Sequence, residues 1–210
     1  MLSFIAHKAA AADGAKRFAA ITPYFLTASP AAVASYYQEL RDAVTDGELY
    51  GYFFPEVAGT DVAPEDLKGL IAVGLDGIKV SGGASARVSH YLAEAPEGFK
   101  LWSGNDADLP NILASGGRGT VSGVSAVCPE PWAAYRTAHA EGNDEKVAQA
   151  QKAIELLVPV LGPNIANLKY GIGLRGFTGG STRMSIDAPS AAIRDLISSV
   201  IDDANNILTS

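Results

Sequence analysis

Cysteine is almost missing from this 210-residue chain, which carries only Cys128. A lone thiol excludes an internal disulfide framework and any multi-cysteine metal site. Histidine is scarce too, and His7, His90 and His139 lie too far apart for a zinc-binding spacing. No apolar run approaches the ~20 residues of a membrane span. The opening, Met1 to Lys8, lacks the basic start and long apolar stretch of a secretory signal. Basic residues are outnumbered, 16 Lys+Arg against 23 Asp+Glu, for a formal net charge of −7, and they form no basic run. Neither a nucleic-acid backbone nor an anionic membrane is therefore an expected partner. With 48% apolar and 19% charged residues the composition excludes intrinsic disorder. The length suits one large domain or two small ones, with a core that needs no staples. A soluble cytoplasmic protein is the expectation.

What is present is a recurring alternation of short apolar runs and longer helical patterns. A first helix, Phe4 to Ala12, ends at Gly14. The predicted strands are Phe18 to Thr22, Leu49 to Phe54, Leu75 to Ser81, Phe99 to Trp102 and Gly119 to Ser122. Ser29-Pro30 opens a helix with serine as N-cap and proline at the first helical position, and Val33, Tyr36, Tyr37, Leu40 and Val44 follow at spacings of three and four. Pro64-Glu65-Asp66 opens another, with acids where the helix dipole favours them. From Asn143 onward only helices are predicted: one to about Leu161 capped by Asn143, one opened by Pro163, and one from Asp187-Pro189 to about Leu208. The organisation expected is 1–142 as the strand-bearing part and 143–210 as a helical extension packed with it. Strands recurring every 20–30 residues, each followed by a helix, imply parallel pairing with right-handed crossovers. Counting alone favours an open sheet, because about five such units are seen and a closed (β/α)₈ barrel needs eight.

Lys79 is the least expected residue. It stands mid-strand in Gly77-Ile78-Lys79-Val80-Ser81, where alternation puts Ile78 and Val80 on one face and Gly77, Lys79 and Ser81 on the other. Both faces of a parallel sheet are normally covered, so an ammonium ion on either is costly. Desolvation lowers a lysine pKa, and a free amine can attack a carbonyl and form a Schiff base. The ordinary alternative is a lysine at a strand end whose head group reaches water. Tyr52 adds weight to the chemical reading. It lies 27 positions upstream on what should be the neighbouring strand, flanked in alternation by Tyr50 and Phe54. A phenol beside such a lysine can relay protons, although a core aromatic with a backbone partner is the commoner use of a tyrosine.

Tyr52-Phe53-Phe54-Pro55 resembles the Y-N-x-P strand motif of the dihydrodipicolinate synthase/N-acetylneuraminate lyase family. Gly77-Ile78-Lys79 resembles its G-I-K motif, Ser103-Gly104-Asn105-Asp106 its S-G-x-D turn, and Thr22-Pro23-Tyr24-Phe25 its T-P-Y-Y. The resemblance runs in order along the whole chain. It implies an α/β fold of the TIM (β/α)₈ barrel family followed by three helices, here a partial barrel of about five parallel units. It also implies a class I lyase, usually oligomeric, that forms an imine with pyruvate or another 2-oxo acid and makes or breaks a carbon–carbon bond. By position Lys79 is the implied Schiff-base nucleophile and Tyr52 the proton relay. Gly104 and Val121 would line the pyruvate end, and Ser81 would meet a substrate hydroxyl. The imine serves as electron sink, so neither metal nor organic cofactor is implied.

The departures are informative. Where the lysine-pathway synthases carry an arginine for the second substrate's carboxylate, this chain has Val57. Phe25 stands where the family's second tyrosine reaches a neighbouring subunit, and Phe53 replaces the asparagine. These changes point to a 2-oxo sugar acid rather than to lysine biosynthesis. The chain also begins where the family's third helix would be, so the first three strands and the glycine-threonine-threonine-glycine-glutamate motif that binds the pyruvate carboxylate would be missing. An internal start within a longer enzyme is the expectation. The competing reading is a catalytically incomplete fragment or a non-catalytic assembly partner.

Other features have plainer readings. Ser81-Gly82-Gly83 could cradle a phosphate but suits a tight turn. Gly176 to Thr182 reads as a helix–helix connection, because no lysine follows the glycines. Cys128-Pro129 suggests a small buried residue sooner than a reactive thiol.

Overall fold

A computed structural model describes residues 2–209. The chain divides into two compact units, residues 1–121 and 122–210.

In the first unit α1 (Leu2–Ala12) leads to β1 (Arg17–Ile21), α2 (Pro30–Ala43), β2 (Glu48–Phe53) and the single turn α3 (Pro55–Ala58). Then come α4 (Leu67–Ala72), β3 (Gly77–Val80), α5 (Val88–Glu94), β4 (Lys100–Ser103) and α6 (Leu109–Ala114). The four strands form one parallel sheet in sequence order, β1-β2-β3-β4. Ser29 caps α2 by accepting a hydrogen bond from the Ala32 amide, with Pro30 in the first turn, as its sequence predicts. Pro64 to Asp66 form a 3₁₀ turn that leads into α4.

The fifth predicted strand shrinks to one bridge, Ser103 with Thr120, made by the Val121 amide to Ser103 O (2.9 Å) and the Ser103 amide to Gly119 O (3.1 Å). The chain turns away on both sides of that bridge. Gly119 has φ +123°, and Ser122 Oγ accepts from the Ser125 amide to begin the next turn.

Alternation sorts the strand residues cleanly. Phe18, Ala20, Leu49, Phe53, Ile78, Val80 and Leu101 point to one face and join Val33, Tyr37, Leu40, Leu67, Leu70, Val88 and Tyr91 from the helices in a buried core. Two buried phenols in that core donate to backbone carbonyls, Tyr37 to Ala20 O (2.9 Å) and Tyr91 to Val62 O (2.6 Å). The opposite face carries Glu48, Tyr50, Tyr52, Lys79, Lys100 and Trp102, all half-buried. A sheet covered on both faces was the expectation. Within this unit the helices cover one face, which leaves the lysine-bearing face half open.

At the N-terminal end of that face the Glu48 carboxylate gathers Lys100 Nζ, the Tyr50 hydroxyl (2.8 Å) and Arg17 Nε (2.9 Å). These donors, Lys100 foremost, hold the Glu48 carboxyl down at about 2. A depressed carboxyl stabilises the fold above its ordinary range near pH 4.5, and that contribution is lost as pH falls towards about 2. Lys100, raised by the same hydrogen bonds, contributes below its ordinary range and loses that contribution only in strong alkali. Melting temperature followed from pH 5 to pH 2 should therefore fall less steeply for Glu48→Gln than for the parent chain. Identical slopes would show that the cluster does not hold these strands.

The second unit is helical: α7 (Glu130–Glu141), α8 (Asp144–Leu161), α9 (Ile165–Leu174) and α10 (Ala191–Thr209). Asn143 caps α8 by accepting from the Lys146 amide, and Asn164 caps α9 by accepting from the amides of Ala166 and Asn167. Ala153, Leu157 and Leu161 of α8 pack with Ile197, Val200, Ile201 and Ala204 of α10. Cys128 is buried in the same cluster, and burial pushes its thiol up to about 11. That rules against the reactive-thiol reading. Among the described residues no helix is long and apolar enough to cross a membrane.

Candidate active site

The register aligns Ile21, Tyr52, Lys79 and Trp102 in one row across the four strands, on the half-open face. Tyr52 and Lys79 are thus direct neighbours, near the C-terminal edge of the sheet. Lys79 Nζ lies over the Tyr52 ring, 4.2 Å from its centroid, close enough for a cation–π contact. The Tyr52 hydroxyl is 3.3 Å from Ser81 Oγ, two residues beyond the lysine on the same face. Tyr52 also packs on Phe54, with ring centroids 6.0 Å apart. Lys79 is half-buried rather than shut away, for the reason given by the one-sided helix cover.

Two glycines make this arrangement possible. A side chain at Gly77 would place its first carbon 2.4 Å from the Lys100 carbonyl oxygen and 2.7 Å from the Tyr50 ring. Only a residue without Cβ lets Tyr50 lie across β3 directly below the lysine. At Gly104 a Cβ would sit 2.3 Å from Ser81 Oγ and 3.5 Å from Lys79 Cε. Its absence leaves space beside the amine and the serine hydroxyl. The Gly104 amide donates to Val80 O (2.7 Å), which pins the turn after β4 against β3.

The structure therefore brings together Tyr52, Lys79, Ser81 and Gly104 of the residues singled out in the sequence. Val121 is one step further out. Its amide bonds Ser103 O, the residue before Gly104, and its side chain is half exposed.

Three groups of supporting contacts have no local signature in the sequence. Ser103 Oγ donates to Ser85 Oγ (3.0 Å) and accepts from the Asn105 amide (3.1 Å), so buried hydroxyls brace the Ser103-Gly104-Asn105 turn from behind. Thr22 and Thr60, both fully buried, anchor the loop after β1: Thr22 Oγ1 donates to Thr60 O (3.3 Å), and Thr60 Oγ1 accepts from the Ala28 amide (3.1 Å). The Glu56 carboxylate accepts from the Gly83 amide (2.7 Å) and lies against Gly82. The glycine pair after Ser81 is thus held by a side chain of this same chain, which displaces the phosphate-cradle reading. The only available signals were the T-P and S-G motifs themselves. Nothing in the sequence pairs Glu56 with a glycine 27 positions away.

Among the described residues no three His, Cys, Asp or Glu side chains gather closely enough to hold a metal ion. The groups on offer are one primary amine, one phenol, one serine hydroxyl and a glycine-lined opening. That set suits covalent capture of a carbonyl followed by proton transfer.

A family model described as the dihydrodipicolinate synthetase family matches residues 3–202. The chain belongs to that family. A 4-hydroxy-tetrahydrodipicolinate synthase of Alkaliphilus oremlandii is 32% identical over 155 residues, covering 71% of this chain and 53% of that protein. The chain spans about half to two thirds of the length of the curated relatives it matches. The solved structure of the 4-hydroxy-tetrahydrodipicolinate synthase from Methylacidiphilum fumariolicum SolV aligns with a TM-score of 0.88 at 22% identity, covering 98% of this chain and 70% of that one. A prophage protein of the dihydrodipicolinic acid synthase family from E. coli K12, solved in complex with pyruvate, aligns at 0.87 with 21% identity, covering 96% and 70%. These structural likenesses establish the fold: a partial (β/α)₈ barrel of the dihydrodipicolinate synthetase family, with C-terminal helices.

Proposed function

We propose that this dihydrodipicolinate synthetase-family chain carries the Schiff-base half of a class I lyase acting on pyruvate or another 2-oxo acid. The observation that carries the reading is the lysine amine resting 4.2 Å from the centre of a tyrosine ring whose hydroxyl meets Ser81. Lys79 Nζ attacks the keto carbon, and the carbonyl oxygen takes a proton from Tyr52 as the carbinolamine forms. Loss of water then leaves the imine. The Tyr52 phenolate takes a proton from the adjacent carbon to give the enamine, which adds to an aldehyde. The aldehyde oxygen takes that proton back as the new carbon–carbon bond forms, and water hydrolyses the product imine, restoring the lysine amine and the phenol. The reverse sequence cleaves that bond. Ser81 holds the phenol in place and is positioned to meet a substrate hydroxyl, while Gly104 and Val121 flank the pyruvate end.

A 2-oxo sugar acid suits the rim better than a substrate with a second carboxylate. Val57 is exposed where an arginine would be required, and the neighbouring Glu56 places an anion beside Gly82 and Gly83. A second copy of the chain is the proposed partner. Tyr24, Phe25 and Leu26 are 62%, 90% and 73% exposed in succession, an apolar tripeptide suited to burial against another surface.

Proton exchange tests the reading. Enamine formation should wash deuterium from heavy water into the methyl group of pyruvate, followed by proton NMR with no aldehyde present. Exchange at the rate of buffer alone, in folded protein, would refute the proposal.

A further inference from the structure

The helical unit holds a cavity of about 620 Å³ between α9, α10 and the glycine-rich connection that joins them. That volume lies in the ordinary range for small-molecule sites. Its lining includes two cations, Lys169 and Arg194, the hydroxyls of Ser181 and Thr182, and the ring of Tyr170, but no aspartate or glutamate. Neither cation forms an ion pair among the described residues. Each is instead oriented by a neutral partner. Lys169 Nζ donates one hydrogen bond to Gly179 O (2.7 Å), which leaves its other donors unspent. Arg194 Nε donates to Pro189 O (2.9 Å) while the guanidinium lies over the Tyr170 ring, 5.5 Å from its centroid. That arrangement leaves the two terminal nitrogens of the fork available.

The connection approaches α9 so closely that a Cβ at Gly179 would sit 2.1 Å from Lys169 O. No lysine follows these glycines in the sequence, as a phosphate loop would require. The structure supplies one from the preceding helix instead.

We propose that this cavity binds a phosphate monoester of small-metabolite size. Two positive charges match a dianion, the arginine fork and the Ser181 hydroxyl suit phosphate oxygens, and Leu174, Ile186 and Tyr170 provide an apolar wall for the esterified group, while the Thr182 hydroxyl donates to Ile186 O (3.3 Å) and holds the connection. The site lies wholly within residues 122–210 and needs neither Lys79 nor a 2-oxo acid.

Calorimetric titration of the full chain with inorganic phosphate and with glycerol phosphate, in low salt, tests it. Both should bind, glycerol should not, and added salt should weaken both ligands. Arg194→Gln and Lys169→Gln should each weaken glycerol phosphate by about 10-fold or more, as the loss of one charge-assisted hydrogen bond requires. Circular dichroism checks that the variants are folded, and Arg194→Lys, which keeps the charge, should retain part of the affinity. Lys79→Met should bind as the parent does. Absence of binding, binding untouched in both glutamine variants, or equal binding of glycerol would overturn the proposal. Phosphate binding without any gain from the glycerol moiety would reduce the site to an adventitious anion contact and also overturn it.

Discussion

Replacing Lys79 by arginine or methionine is expected to abolish pyruvate exchange, by at least about 10³-fold, as deletion of a covalent nucleophile does in other enzymes. The two variants separate chemistry from packing. Arginine keeps a positive charge and can lie over the Tyr52 ring as the lysine does, but its guanidinium stays protonated and does not attack a carbonyl. If Lys79 serves only as a structural cation over Tyr52, the arginine variant should behave like the parent. If it is the nucleophile, both variants are equally dead while their unfolding transitions remain close to the parent's. Tyr52→Phe supplies the companion measurement. Removing the hydroxyl breaks the contact with Ser81 and the proton relay but keeps the ring beneath the amine. It should slow exchange while leaving imine formation detectable.

Phe53→Ala should have the largest effect on stability, about 3–5 kcal/mol, out of the roughly 5–15 kcal/mol typical of a domain. The Phe53 side chain is completely buried on the helix-covered face. It packs against Tyr91, with ring centroids 5.9 Å apart, and occupies the space that the missing side chain of Gly51 leaves open. Truncation would open a cavity between the sheet and α5. In denaturant unfolding the midpoint should drop with the slope nearly unchanged. Asparagine at the same position should be worse still, because its amide would enter a core of apolar side chains. Any exchange activity per folded molecule should stay close to the parent's, since Phe53 and the lysine lie on opposite faces. A midpoint shift worth less than about 1 kcal/mol would mean that this core is not packed as described.

Phe53 also illustrates what a sequence can and cannot convey. Its difference from the family asparagine invites a functional interpretation, yet alternation from Tyr52 already assigns it to the other face, and the structure puts it in the core. The pairing of Tyr52 with Lys79 was legible for the same reason. Two strands one βα unit apart pair in parallel, and period-2 alternation then decides which side chains meet. The caps at Ser29 and Asn143 were legible because one side chain and a nearby amide suffice to make them.

What escaped the sequence depends on distance along the chain. The bracing of Gly104 by Ser85 and Ser103, and of Gly83 by Glu56, joins residues 18 and 27 positions apart through geometry that no local pattern encodes. The half-open face escaped for a different reason. Parallel sheets are normally covered on both faces, and that general rule hides what the polar alternates Glu48, Lys79 and Lys100 indicate, a face left partly open. Thr120-Val121 has strand-like composition, yet the flanking Gly119 and Ser122 turn the chain after a single bridge, so the predicted fifth strand does not extend. The lysine of the helical cavity was invisible because it precedes its glycines, on α9, instead of following them.

The most direct measurement is covalent trapping. The folded chain is incubated with pyruvate, reduced with borohydride, digested, and mapped by mass spectrometry. A reduced pyruvate adduct on the peptide that contains Lys79, absent when pyruvate is omitted and absent in Lys79→Arg, is the result predicted. A folded sample whose Lys79 peptide stays unmodified, or whose adducts scatter over the other lysines, would contradict it.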